Sequence, residues 1–198
     1  MRIIAGSFKG KKILSPKKSL VNSPGKHLGN DAIRPTSDRV REAIFSILSS
    51  RLSHGFEDVR VLDLFAGTGA LGLEALSRGA GMAAFVDNGV QARGIIRANI
   101  EQFGIGGRAR LLKRDASDLG VAERFEPFDL VFLDPPYGKG LGQKALLSAR
   151  QGNWIAPDAV IVLEEAKKSS IDVPAGFELT DRRDYGDSSI WFLSPVKT

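Results

Sequence analysis

The chain has 198 residues, 42% of them hydrophobic, a formal net charge of +5 and no cysteine. That length suffices for one well-buried domain with a small appendage, and the missing cysteines exclude disulfides, thiolate nucleophiles and thiolate metal sites. Only His27 and His54 remain for a histidine-based metal centre, and no apolar run reaches membrane-spanning length.

Charge is unevenly spread. Residues 1–60 hold 12 Lys+Arg against 5 Asp+Glu, a net +7, whereas residues 61–198 hold 16 against 18, a net −2. A basic front on a near-neutral body fits either an arm for a polyanion or a lysine-rich solvated surface. The opening Met1-Arg2-Ile3-Ile4-Ala5-Gly6 lacks the apolar core of a signal peptide, so the expected compartment is the cytoplasm. Residues 1–14 place Ile3-Ile4 and Ile13-Leu14 on either side of Lys9-Gly10-Lys11-Lys12, which predicts a small hairpin bent at glycine. Ser15 to Asn30 is rich in Ser, Pro, Gly and Asn, carries Lys17, Lys18 and Lys26, and reads as a flexible loop. After Arg34-Pro35, either Thr36 or Ser37 can cap a helix in which Val40, Ala43, Ile44, Ile47 and Leu48 share one face, leaving Arg39 and Arg41 on other faces.

The rest of the chain is organised around Val61 to Leu76. Val61 to Phe65 is an apolar run of the buried parallel-strand kind, interrupted only by Asp63. It passes through Ala66-Gly67-Thr68-Gly69 into a helical pattern with Leu71, Gly72, Ala75 and Leu76. A strand that turns on glycine into a helix leaves unpaired backbone N–H groups at the turn, and glycine lets a ligand lie directly on the backbone. Gly67, Gly69 and Gly72 also fit the dinucleotide pattern G-x-G-x-x-G, with an acid downstream at Asp87. Two features favour another ligand. Asp63, inside the strand, would repel a pyrophosphate but suits a cationic amino-acid head. A later apolar strand, Phe128 to Leu133, ends in Asp134-Pro135-Pro136-Tyr137, which hydride transfer has no use for.

Between these two stretches the pattern predicts a strand over Met82 to Val86 ending in Asp87-Asn88, and a helix over Val90 to Phe103 stopped by Gly104. A third strand over Ala109 to Lys113 leads to Arg114-Asp115-Ala116, where Asp115 is either a ligand contact or a helix N-cap. A fifth strand spans Ala159 to Leu163, and Phe177 to Tyr185 with Ser188 to Leu193 form an antiparallel hairpin around Gly186-Asp187. Trp154 and Trp191 read as packing residues, with base stacking left open for Trp191.

Asp63 to Gly72 together with Asp134 to Tyr137 resembles the class I S-adenosylmethionine-dependent methyltransferases that modify exocyclic amino groups of bases. Ile4-Ala5-Gly6, Arg34-Pro35-Thr36 running into Arg41-Glu42-Ala43-Ile44-Phe45, and Tyr185-Gly186-Asp187 narrow the resemblance to the RsmD-type family. That family methylates guanine N2 of bacterial 16S ribosomal RNA, its target being guanine 966.

The resemblance implies a Rossmann-like α/β fold. Five parallel βα units closed by the hairpin would form a seven-stranded class I methyltransferase sheet, residues 53–198, behind a small basic N-terminal extension, residues 1–52. It implies S-adenosylmethionine as cofactor, held by Asp63, Phe65, Ala66, Gly67, Thr68, Gly69, Asp87, Asn88, Asp115, Ala116 and Asp134. Asp134, Pro135, Pro136 and Tyr137 would carry catalysis, with no metal. Arg34, Thr36, Tyr137, Lys9, Lys11 and Lys12 would meet a 16S rRNA substrate, within a 30S subunit or assembly intermediate, the enzyme acting as a monomer. A DNA adenine-N6 methyltransferase shares the tetrapeptide chemistry, and a non-catalytic RNA-binding assembly factor could keep the fold; both remain open at this stage.

Overall fold

A computed structural model describes residues 1–16, 38–169 and 171–197. Helix α1 (Asp38–Arg51) precedes strand β1 (Arg60–Leu64), helix α2 (Ala70–Ser77), strand β2 (Met82–Val86), helix α3 (Val90–Phe103) and strand β3 (Ala109–Leu112). Strand β4 (Phe128–Leu133), helix α4 (Leu141–Gln151), strand β5 (Ile155–Ala166) and the hairpin β6 (Phe177–Tyr185) with β7 (Ser188–Pro195) complete the chain. The strands form one seven-stranded sheet in the order β3-β2-β1-β4-β5-β7-β6. The first five pair in parallel, and β7 runs antiparallel to both β5 and β6. This is the sheet that the resemblance implied.

Alternation along β1 assigns its two faces. Val61 packs with α1, α2, α3 and the N-terminal segment, whereas Leu62 and Leu64 pack with α4 and the β3–β4 connection. Burial on both faces explains why β1 and β4 read as continuous apolar runs. Ile3 and Ile13 belong to the first of these cores together with Ile44, Phe45 and Leu48, so residues 1–14 and α1 are packed onto the sheet. The first residues double back with an Arg2–Lys12 antiparallel bridge and Gly10 at φ +81°, the small hairpin expected there. Helix α3 stops where Gly104 takes the left-handed conformation at φ +67°.

Three expectations are corrected. The five βα units are not there: α2, α3 and α4 follow β1, β2 and β4, but among the described residues no helix follows β3 or β5. After β3, Gly120 adopts φ +65°, and the carbonyls of Leu119, Gly120 and Val121 accept from the side chains of Arg114, Trp154 and Arg114 respectively. Those carbonyls are therefore lost to a helical ladder. It follows that Asp115 is not a helix N-cap. After β5, Pro174 and a left-handed Gly176 occupy the short connection.

Strand β5 also starts earlier than Ala159. Its register against β4 shifts between Phe128 and Leu130, and this irregularity accommodates Pro157 within the strand. Finally, Arg41 does not lie on a free face of α1. Its side chain is fully buried, with Nε 3.7 Å from Oε2 of the equally buried Glu74 in α2.

Candidate functional site

The sheet order reverses between β1 and β4, and the crevice beyond the carboxyl ends of two such strands is where α/β folds bind ligands. Leu64 of β1 lies opposite Leu133 of β4, and the Asp134 N–H continues the ladder by donating to the Leu64 carbonyl at 3.4 Å. The glycine turn and the Asp134–Tyr137 tetrapeptide therefore leave adjacent strands at the same edge.

The turn is held from beneath and from the side. Phe65 takes φ +58°, a left-handed conformation that a bulky residue adopts only at a cost of about 1–3 kcal/mol and that clusters at functional sites. Gly67 and Gly69 follow at φ +57° and +77°. The Gly67 N–H donates to Asp87 Oδ2 at 2.9 Å, and the Gly89 N–H donates to Asp87 Oδ1 at 2.7 Å. Asp87 thus spans the turn and the start of α3, with each carboxylate oxygen keeping a lone pair for another donor. The Thr68 carbonyl accepts from Asn99 Nδ2 at 3.0 Å, and the same buried Asn99 exchanges bonds with the backbone of Leu14.

Asp63 sits under the turn, 2% exposed, where its Oδ2 accepts from the Gly72 N–H at 3.0 Å. Burial raises its pKa to about 8, opposed by the Gly72 bond and reinforced by the charge of Asp87. Gly72 is required sterically: a Cβ there would lie 2.5 Å from the Phe85 ring and 3.2 Å from Asp63 Oδ2.

Beside the turn, Phe65, Val86, Asp87, Asn88, Arg114 and Ala116 line a small cleft at the ends of β1, β2 and β3. Asp115 is exposed at its rim. Bonds from the Ser117 hydroxyl and N–H, at 2.7 and 2.8 Å, hold its carboxyl below the usual range, with a contribution from the Asn88 side chain. The cleft combines apolar walls with carboxylates, which suits a nucleoside whose hydroxyls and amine donate.

In the tetrapeptide, Pro135 is buried, Pro136 exposed and Asp134 partly buried. The Tyr137 hydroxyl donates to Glu164 Oε1 at 2.7 Å and lies 3.0 Å from Ser188 Oγ. The next residue is anchored too, since the Gly138 N–H donates to Glu165 Oε1 at 3.2 Å. Glu164 and Glu165 escaped the sequence reading, although two buried acids ending the apolar strand Ala159–Leu163 were the available signal. The buried Glu74 in α2 escaped it likewise.

The structure brings Asp63, Phe65, Ala66, Gly67, Thr68, Gly69, Asp87, Asn88, Asp115 and Ala116 to one edge with Asp134–Tyr137. It does not bring Lys9, Lys11 and Lys12 there. The hairpin tip bonds to Ser77, at the end of α2, and Lys11 Nζ lies 4.9 Å from the Phe8 ring and 5.7 Å from that of Phe103, at the end of α3. Both helices start at the glycine edge and run away from it, α2 for about 12 Å. All three lysines are exposed at that far end. Arg34, Thr36, Ser37, Lys17, Lys18, Lys26 and His27 lie outside the described residues, as does most of the Ser15–Asn30 loop. His54 is exposed, whereas Trp154 and Trp191 are buried packing residues, leaving Trp191 no surface for a base. Among the described residues no helix is long and apolar enough to cross a membrane.

Comparison with known proteins agrees with this geometry. The solved structure of the Escherichia coli protein yhhF superposes with a TM-score of 0.78 at 28% identity, covering 98% of this chain and 97% of that one. A hypothetical protein of Thermus thermophilus gives a TM-score of 0.73 at 27% identity, with 99% of each chain covered. Ribosomal RNA small subunit methyltransferase D of Escherichia coli strain K12 is 34% identical over 182 residues, spanning 90% of this chain and 82% of that protein. Its namesake from Haemophilus influenzae is 31% identical over 188 residues, spanning 94% and 89%. The profile of the family described as Conserved hypothetical protein 95 matches residues 1–194. On these matches the chain belongs to the Conserved hypothetical protein 95 family, the RsmD-type class I methyltransferases.

Proposed function

We propose that this chain transfers the methyl group of S-adenosylmethionine to the exocyclic N2 of a guanine in 16S ribosomal RNA, guanine 966 being the family's target. The observation that carries this reading is the Asp134–Leu64 backbone bond, which sets a carboxylate and two prolines beside a glycine turn flanked by Asp87. The names of the relatives support an rRNA substrate; in this proposal a monomer meets it in the cytoplasm, within a 30S subunit or assembly intermediate.

Asp87 would accept from the ribose hydroxyls and Asp115 from the adenine amine, while Phe65, Asn88 and Ala116 wall the cleft. Ala66, Gly67, Thr68 and Gly69 would pass beneath the amino-acid moiety, with Asp63 holding that turn from below through the Gly72 N–H. When bound, this donor supplies a methyl carbon on an activated sulfonium, so the C–S bond breaks as the N–C bond forms and one N–H proton leaves to water.

The chain's contribution is alignment, an effect that can lower such a barrier by about 7–11 kcal/mol. Guanine N2 is a poor nucleophile because its lone pair is delocalised into the ring. Asp134 and the Pro135 carbonyl would accept from its two N–H groups and turn that lone pair toward the methyl. Pro135 and Pro136 fix φ and so hold the carbonyl's direction. Tyr137 would stack on a base drawn out of the RNA, as enzymes acting on bases require. Arg34 and Thr36 are assigned to the same pocket by resemblance, and residues 1–52 to RNA contact, Lys9, Lys11 and Lys12 meeting phosphates away from the target base.

The test is incubation with labelled S-adenosylmethionine and either 30S particles lacking the modification or duplex DNA. Label in N2-methylguanine of 16S rRNA is the expected result. N6-methyladenine in DNA, or donor binding without transfer to any ribosomal particle, overturns the reading.

A further inference from the structure

The segment Asp134 to Gly140 carries two prolines near one end and two left-handed glycines at the other. Pro135 and Pro136 restrict it, after which Gly138 and Gly140 take φ +74° and +63°. Tyr137 stands between the two, and its described polar contacts come from outside the segment. Glu164 near the end of β5 and Ser188 at the start of β7 both reach its hydroxyl, at 2.7 and 3.0 Å, and are 7% and 8% exposed. Glu164 pairs with Ile190 across the antiparallel β5–β7 ladder, two residues from Ser188, so the two partners belong to one rigid corner of the sheet. A phenol donating to a carboxylate makes a charge-assisted bond, roughly twice as strong as a neutral one. Burial alone would favour an apolar residue at 164.

We propose that Glu164, assisted by Ser188, is a positioning residue that fixes the Tyr137 ring for the target base. The proposal rests on the reading that Tyr137 meets that base. With its hydroxyl committed to β5 and β7, Tyr137 offers a base its ring face and not a hydrogen bond. Reading of the base's polar edge then falls to Asp134 and the Pro135 carbonyl. Glu165 extends the same hold to the following residue through the Gly138 N–H.

The experiment uses the full chain as Glu164→Ala, Glu164→Gln, Tyr137→Phe and Glu164→Ala combined with Tyr137→Phe, assayed on 30S particles with S-adenosylmethionine. Glu164→Ala should lower kcat/KM for the particle about tenfold, the usual effect of losing one charged hydrogen bond, with donor Kd unchanged. Glu164→Gln, whose amide oxygen still accepts the phenol, should recover most of that loss. Adding Glu164→Ala to Tyr137→Phe should cost less than the sum of the two single losses, because Glu164 acts on the base through the hydroxyl. Full activity in Glu164→Ala, or additive losses in the double variant, overturns the proposal.

A substrate-free readout separates the two claims. The chain has two tyrosines, so Tyr185→Phe leaves Tyr137 as the sole phenol. Its Raman doublet should report a strong donor with Glu164 and a weak one with Glu164→Ala. An unchanged doublet overturns the tether, whether or not any particle is methylated. Absence of methyl transfer by the unaltered chain overturns the base-binding reading alone.

Discussion

The Gly67 N–H donates to Asp87 Oδ2 at 2.9 Å, so the acid ending β2 helps shape the turn that leaves β1. Because the second oxygen holds the Gly89 N–H, the carboxylate is oriented before any ligand arrives. Asp87→Ala removes an acceptor and releases both N–H groups. Affinity for S-adenosylmethionine should fall about tenfold to a hundredfold, the range for hydrogen bonds to a charged group, measured by calorimetry. Asp87→Glu, longer by one methylene, should lose less. An unchanged Kd in Asp87→Ala would remove this residue from the donor site.

Asp63 gives stability a pH dependence with a definite sign. Its pKa stands near 3.8 in an unfolded chain and about 8 in the folded one, chiefly through burial. Between these values the folded state keeps a proton that the unfolded state has lost. The contribution of this group is therefore fully present below about pH 4 and lost progressively as pH rises toward about 8. Asp63→Asn retains an acceptor for the Gly72 N–H but cannot titrate. Urea unfolding across that window should show the unaltered protein losing stability relative to Asp63→Asn by at most about 1.4 kcal/mol per pH unit. Parallel curves contradict the assignment.

Glu74 binds three parts of the chain together. Its carboxylate accepts from the N–H groups of Ile4 and Ala5 at 2.8 and 3.0 Å and pairs with Arg78 Nε at 2.9 Å, besides facing Arg41. Breaking a buried pair from one side strands the other charge, at a cost of about 3–5 kcal/mol. Glu74→Leu should lose that much in denaturant unfolding. Arg41→Met combined with Glu74→Leu should recover part of it, but not the share owed to Ile4 and Ala5. A loss below about 1 kcal/mol in Glu74→Leu, as for an exposed pair, contradicts this role.

Lys9, Lys11 and Lys12 project from the hairpin tip, at the far ends of α2 and α3. Replacing all three by alanine should weaken RNA binding and reduce the salt slope of log Kd by about 2–3, one increment for each phosphate no longer neutralised. Donor affinity should not change. An unaltered salt slope places RNA contact elsewhere.

How far the sequence was legible follows from what each pattern reports. The strands at Met82–Val86 and Phe128–Leu133 and the helix at Val90–Phe103 stand where periodicity put them, because burial on a face and a glycine stop are local signals. The tetrapeptide and glycine turn were legible as separate motifs; only the parallel pairing of Leu64 with Leu133 makes them one edge. The β3–β4 connection misled because its buried Ala116, Leu119 and Ala122 share helical spacing, while the groups that take its carbonyls, Arg114 and Trp154, lie outside any local window. Arg41 misled for a related reason: a charged residue on an amphipathic helix reads as exposed unless its buried partner, here Glu74, is known.

The most direct measurement is methyl transfer by Asp134→Ala on 30S particles, paired with its S-adenosylmethionine Kd. Loss of turnover by about a hundredfold or more with Kd within about twofold is expected, since an acceptor acting on the nucleophile contributes to the transition state and not to donor binding. Turnover equal to that of the unaltered chain, with the same donor affinity, would mean that the carboxylate at the end of β4 does not orient the reacting nitrogen.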